Sequence, residues 1–477
     1  LAKKMKRAND EDPIRLPRRL SLSSITRLEV LLFLCLWLGY GAAINSDNLI
    51  KFNLQQIGVE ALVERHQFYL EGSSVPELWP GGDVFFYEGH KFAAKQPGQT
   101  LAGAVVYGVI RAFGLRYANN YLLTSALVTF FTTSLILAAS AVAVFRISRL
   151  LTNGLTKDRQ SFFWPLLTTF SYALATTIFA YSGIAHHDAL ATGYLVLAFY
   201  LVFALPRAGW DGWSEIARSA AAGLLLGLAV TTSMLVLFMV MICGLYFLWL
   251  RRWKLVPFFA LALLIGLLPL FIYDASSFGN PFLLSNVAGA HLFADTFFRF
   301  SAKNFGDKIV WYATMVAVYA PALLAGGFGL SYYPRDWKRT PFFFCLVSMV
   351  FVLVAYITNI QTGGDCQFGP RYLMPAMPFA CLGMAGYSYL STGVERRFAG
   401  CLVLLAGVWS FAINLVGAVQ GAMNCPDGRN ALQDQLERLS HGEFNHYPLA
   451  GWLLAPLVIC SALLVWSLMR MEQPARS

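Results

Sequence analysis

The sequence predicts an all-α polytopic membrane protein, a bundle of about twelve transmembrane helices. Of 477 residues, 57% are hydrophobic and only 13% are charged, with a mean hydropathy of +0.55, whereas a soluble domain carries roughly 25% charged residues. Apolar segments of about 17–25 residues recur along the whole chain, each long enough to cross a hydrocarbon core of roughly 30 Å. Between them the Lys and Arg residues gather in short runs, the pattern of signals that set orientation in a bilayer. These features also account for the net charge of +10, so nucleic-acid binding is rejected.

Candidate spans begin near Val30, Tyr121, Phe162, Asp188, Ile216, Leu235, Leu255, Ile309, Pro341, Tyr372, Phe398 and Leu449. A further stretch, Gln99 to Phe113, is shorter, richer in glycine and bounded by Pro97-Gly98 and Gly114. If it spanned, every later segment would change sides, so the basic residues arbitrate. With twelve spans, 24 of the 36 Lys/Arg fall in cytoplasmic segments. With thirteen, the clusters Arg146–Arg159, Arg251–Lys254, Arg335–Arg339 and Arg396–Arg397 would all face outward, against the positive-inside rule. The expectation is therefore twelve spans plus one interfacial helix at 99–113. Residues 1–27 and 470–477 form cytoplasmic tails, 28–469 the membrane domain, and 45–120 a large first outer loop. The basic start followed by Val30 to Ile44 also has the outline of a secretory leader, with Gly41 and Ala43 at a cleavage-like site. The polar loop that follows is useful only if held at the membrane, which favours a retained first span.

Cytoplasmic loops are short and basic, whereas 16 of the 26 acidic residues lie in outer segments. Ionisable groups near the ends of spans are functional candidates, because burial in lipid is costly. Asp47 follows the first span at headgroup level, where a carboxylate serves either as a general base or as a solvated loop acid. Ala185-His186-His187-Asp188 crowds two imidazoles and a carboxylate at an outer turn, to be read as a metal site or as a helix cap by Asp188. The run from Gly82 to Gly98 supplies Asp83, Tyr87, His90 and Lys95, and its Lys95-Gln96-Pro97-Gly98 end leads an ammonium toward a helix N-terminus, where anions are favoured. In the stretch from Gly363 to Phe379, with Asp365, the Gly369-Pro370 turn leaves Arg371 and Tyr372 at the outer interface. Arg371 there grips a phosphate or merely snorkels to the headgroups. Cys366 and Cys425 are the two outer-loop cysteines, a disulfide pair if the compartment is oxidising.

This arrangement resembles the GT-C superfamily of integral membrane glycosyltransferases, especially its bacterial branch similar to protein O-mannosyltransferases and aminoarabinose transferases. The matching positions are Asp47-Asn48, Lys51-Phe52, Tyr87-Glu88-Gly89-His90, Lys95-Gln96-Pro97-Gly98, Asp188, Phe278-Gly279-Asn280-Pro281-Phe282 and Gly369-Pro370-Arg371-Tyr372. They run in order through residues 27–390. Two departures stand out: Asn48 replaces the second acid of the family's pair, and Lys51-Phe52 replaces Arg–Tyr, losing the guanidinium fork.

The resemblance implies a GT-C-like bundle whose donor is a sugar on a polyprenyl phosphate, not a nucleotide sugar, and whose acceptor is a lipid, glycan or protein. Asp47, Asp83 and Asp188 are then the candidate catalytic carboxylates, with Asp47 as general base of an inverting transfer. Lys95, Arg371 and Lys51 are candidates for the donor phosphate, and Tyr87, His90, His187, Tyr372 and Asp365 for orienting substrates. No cofactor is called for, although a divalent metal stays open. The implied location is the bacterial inner membrane, both termini cytoplasmic and the site on the outer face. Two rivals remain. A secondary transporter predicts repeats and mid-membrane charges that the sequence lacks, and a polymerase or ligase of lipid-linked polysaccharide shares the donor class.

Overall fold

A computed structural model of the chain describes residues 26–75, 83–152, 162–204, 212–289, 305–360, 367–423 and 430–472. Among them six helices are long and apolar enough to cross a membrane: Tyr121–Thr152, Trp213–Thr232, Trp253–Phe278, Pro341–Asn359, Gly393–Gln420 and Ala450–Arg470. Their outer faces present bare apolar side chains, such as Leu261, Leu264 and Leu268 on one helix and Leu454, Val458 and Ile459 on another. With every helical backbone group satisfied internally, such faces suit lipid. The protein is an integral membrane protein.

Among the described residues the other six predicted spans are seen as shorter, bent or broken helices, so the count of twelve is not confirmed. Arg27–Ala42 has 16 residues and Leu237–Trp249 has 13, while the apolar stretch His187–Phe203 is likewise short. Phe163–Leu174 stops before a separate turn at Thr177–Tyr181. Phe305–Tyr319 meets the helix that starts at Pro321 at 104°. The segment expected from Tyr372 breaks into a 3₁₀ turn Arg371–Ala376, an α-helix Met377–Leu382 and a second 3₁₀ turn Gly383–Tyr389. Pro375 and Pro378 each remove a backbone donor there and crowd the preceding turn. Hydropathy registers the apolar content of such a segment but not its interruptions.

One buried ionic knot ties the first helix to the bundle. Thr26 and Glu29 form a reciprocal capping box at its start, and the Glu29 carboxylate then accepts from Arg146 at 3.1 and 2.9 Å. Arg149 stands 3.8 Å away. Glu29→Gln would leave two guanidinium groups facing a neutral amide, and removing one partner of a buried pair costs about 3 kcal/mol or more. The expected result is a clear drop in the thermal midpoint of the purified protein in detergent; an unchanged midpoint would show that the knot adds nothing.

The segment between the Arg27–Ala42 and Tyr121–Thr152 helices folds onto the bundle through short elements. Ser46–Lys51 and Leu54–Glu64 are helical. An antiparallel hairpin, Val84–Tyr87 with His90–Ala93, turns at Glu88 and Gly89, both at positive φ, as two-residue hairpin turns require. Phe85 and Phe92 face inward against Tyr273 and Phe278. The Gly98–Ala112 helix corresponds to the predicted interfacial segment. It buries Gly98, Gln99, Gly103 and Tyr107 and exposes Val105 and Val109. At 15 residues it is only ~22 Å long, too short for the hydrocarbon core.

Candidate active site

The hairpin delivers the chain directly to a cleft. After Ala93 come Ala94, Lys95 and Gln96, which line it together with His187, Asp188, Ser233, Asn286, Tyr356 and Tyr372. Gly98 makes this approach possible: a Cβ there would lie 2.3 Å from Thr232 Oγ1 and 2.6 Å from the Thr232 Cα. Only a residue without a side chain lets the loop seat on the end of the Gly212–Thr232 helix. The Lys-x-Pro-Gly run thus sets Lys95 beside the residues that follow Thr232.

Lys95 forms an ion pair with Asp83. Burial pushes the Asp83 carboxyl up, but the Lys95 ammonium, with help from Arg371, outweighs it and holds the group below the usual carboxylate range. Asp188 Oδ1 accepts from Ser233 Oγ at 2.6 Å and lies 3.5 Å from His187 Nε2. Its second oxygen is buried without a hydrogen-bond partner. Gln55 Nε2 stands 3.5 Å from His187 Nδ1. If Gln55 donates there, a neutral ring carries its proton on Nε2, toward Asp188. Arg371 is buried, donates from Nη2 to the Tyr372 hydroxyl at 2.9 Å, and leaves its Nε without a partner. A buried free donor and a buried free carboxylate oxygen each call for a ligand, since leaving either unmade is costly.

Asp47 occupies a second polar cluster. Asn45 caps the Ser46–Lys51 helix, and one turn on Lys51 reaches back to Asp47 Oδ1 at 2.9 Å. Arg438 approaches the same oxygen at 3.3 Å. Oδ2 is buried and unpartnered, and it packs over Gly421, where a Cβ would come within 2.3 Å of it. Gly421 has φ +114° and ψ 154°, a conformation open essentially to glycine alone. Gly421→Ala is therefore expected to displace the Asp47 carboxylate and lower turnover at least tenfold, read as kcat on protein shown to be folded. Wild-type kcat would mean that this carboxylate position does not matter. Asn48, standing where the family pattern has an acid, accepts from the Ala422 amide at 2.8 Å through Oδ1.

The structure thus gathers Lys95, Asp83, His187, Asp188, Arg371 and Tyr372 in one region and seats Lys51 on Asp47. Tyr87 and His90 are engaged elsewhere. The Tyr87 hydroxyl donates to Phe278 O at 3.4 Å, and His90 stacks on Tyr69 with ring centres 4.2 Å apart; both contacts brace the hairpin. Asp365, Cys366 and Cys425 lie outside the described residues. Among the described residues no group of three or more His, Cys, Asp or Glu is arranged to hold a metal ion. His186 and His187 stack on each other at 4.6 Å, and His186 Nδ1 accepts from the Asp188 amide. Sequence reasoning missed Ser233, Gln55, Gly421 and Arg438. Ser233 alone carried a local signal, as a serine starting a new helical turn.

The architecture can be matched among solved structures. ArnT from Cupriavidus metallidurans bound to undecaprenyl phosphate superposes with a TM-score of 0.50 over 93% of this chain and 73% of that one, at 12% identity. The chain shares the fold of ArnT. The apo form of ArnT gives 0.48 at 13% identity over 93% of this chain and 76% of that one. The oligosaccharyltransferase AglB from Archaeoglobus fulgidus, in complex with an inhibitory peptide and a dolichol-phosphate, gives 0.43 at 12% over 88% and 59%. No family model matches the sequence, and no curated protein matches it. The likeness to ArnT is thus one of backbone arrangement.

Proposed function

We propose that the protein is a glycosyltransferase that moves a sugar from a polyprenyl-phosphate donor to an acceptor on the non-cytoplasmic face, with inversion at the anomeric carbon. The observation that carries this reading is a polar cleft lined by Lys95 and Asp188, with the buried Arg371 close enough to act on Asp83, in the same bundle as a carboxylate with one free buried oxygen, Asp47. The structure of ArnT contains undecaprenyl phosphate, which supports a donor of that class.

In the proposed reaction Asp47 Oδ2 takes the proton of the acceptor hydroxyl. The acceptor oxygen attacks the anomeric carbon opposite the phosphate, and the carbon–oxygen bond to phosphate breaks with its electron pair leaving on the lipid phosphate. Lys95 and Arg371 meet the charge that develops there, an effect that grows in a site from which water is excluded. Asp188, fixed by Ser233, and Tyr372 orient the sugar, while Asp83 keeps Lys95 in place. Lys51, as seated here, serves Asp47.

The test incubates the purified protein with radiolabelled undecaprenyl-phosphate hexoses, pentoses and amino sugars, offered glycolipid, polysaccharide and peptide acceptors. Transfer with inverted anomeric configuration is expected. Solute movement across proteoliposomes with no sugar transfer to any acceptor would sink the reading in favour of a transporter.

A further inference from the structure

We propose that Arg438 is a positioning residue for the reaction, holding Asp47 Oδ1 so that the carboxylate keeps a single orientation and Oδ2 is its one unpaired oxygen. This rests on the reading of Asp47 as the base. Arg438 lies 391 positions beyond Asp47, on the Ala431–Ser440 helix of the last outer loop, so the two meet only because the loop folds back over the first one.

The guanidinium is held on all its edges. Nη1 donates to Asp47 Oδ1 at 3.3 Å, to the Gln420 carbonyl at 3.3 Å and to Gln435 Oε1 at 3.2 Å. Nη2 donates to Asn445 Oδ1 at 3.2 Å, and Nε to Glu443 Oε2 at 3.4 Å. With acceptors on each of its three nitrogens, the fork acts as a strut and not as an open anion receptor.

Its partners are themselves tied down. Asn445 Nδ2 donates to the Val419 and Gln420 carbonyls at 3.1 and 3.0 Å. Gln420 Nε2 donates to the Glu443 carbonyl at 3.0 Å, and the Tyr447 hydroxyl to Val419 O at 3.0 Å. The Ser46 amide closes the ring, donating to the His446 carbonyl at 2.8 Å. Asp47 is therefore braced from both ends: its backbone neighbour by His446, its Oδ1 by Arg438.

A carboxylate with both oxygens unheld rotates and offers its lone pairs in many directions. Here Oδ1 is shared between Lys51 and Arg438, and Oδ2 is confined over Gly421. Lys51 adds a point charge to Oδ1, whereas the planar fork of Arg438 also fixes direction. A misplacement of a reacting group by about 1 Å costs on the order of 10²-fold in rate. Orientation of this one carboxylate is thus worth a dedicated brace.

The experiment measures steady-state transfer by the full chain in detergent, using whichever undecaprenyl-phosphate sugar and acceptor turn over fastest. Arg438→Ala is expected to lower kcat about 10- to 100-fold with donor KM within about twofold, and added guanidinium is expected to restore part of the rate. In the Asp47→Asn background, Arg438→Ala is expected to add no further loss, because two residues acting through one carboxylate are not additive. If Arg438→Ala yields no folded protein, Arg438→Gln, which still reaches neutral acceptors, is expected to show the same loss in kcat. Wild-type kcat in a folded Arg438 variant, or losses that multiply in the double variant, would overturn the proposal. Wild-type kcat in Asp47→Asn is a separate result, which removes the base assignment itself.

Discussion

Asp47→Asn is expected to slow sugar transfer by about three orders of magnitude, the range that a positioned general base supplies, while donor KM changes little. The substitution keeps shape and removes the proton acceptor. In this structure it also leaves Lys51 and Arg438 facing a neutral amide where they now share an anion. A loss of activity must therefore be separated from a loss of structure by a thermal melt and by donor binding measured on the same preparation. A folded variant that binds donor and does not transfer supports the base. A folded variant that transfers at the wild-type rate transfers the role elsewhere. Asp83 would be the obvious second choice from its place in the sequence, yet it is already ion-paired with Lys95. Asp188 retains a buried oxygen without a partner and becomes the next residue to change.

How much of this was legible beforehand depended on whether the signal was local. Asp47, Lys95, Asp188 and Arg371 stand in short motifs beside the ends of apolar segments, where the cost of burying charge marks them out. The hairpin residues Tyr87 and His90 sit in an equally suggestive motif, yet their contacts with Phe278 and Tyr69 brace the loop. A motif fixes residue types and spacing; it does not say which of its polar members face the cleft. Arg438 and Gly421 had no local signal at all. Each matters through Asp47, nearly four hundred positions away, and only the fold brings them to it. The helices tell the same story at a larger scale. Long spans such as Pro341–Asn359 and Gly393–Gln420 follow from hydropathy, whereas the breaks at Ala320-Pro321 and around Pro375 and Pro378 depend on where a missing amide can be tolerated by neighbouring helices.

Lys95→Met is expected to raise donor KM and lower kcat together, by about 10²-fold in kcat/KM. The reason is its double duty. Its ammonium lines the cleft and also carries the Asp83 carboxylate, whose ionised form it stabilises against burial. Methionine keeps the stem and its packing but removes the charge, leaving Asp83 as an anion without its ion-pair partner next to an incoming phosphate. The double variant Lys95→Met/Asp83→Asn should therefore bind donor better than Lys95→Met alone, because the repulsion goes with the carboxylate. Lys95→Arg separates two roles: a point charge that merely attracts phosphate tolerates the exchange, whereas a group that must fit between Asp83 and the cleft does not. The pH dependence has a definite sign. Because the Asp83 carboxyl is held below its ordinary value of 3.8, the stability contributed by the pair is fully present above that value and is lost as pH falls through the lower folded-state value. Donor affinity across the neutral range should then be independent of Asp83 titration. A donor-binding limb in the wild type between pH 5 and 7 that vanished in Asp83→Asn would show that the carboxylate is not paired as described. Equal donor binding by Lys95→Met and wild type would remove Lys95 from the phosphate site and leave Arg371, with its free buried Nε, as the cation on which the donor phosphate depends.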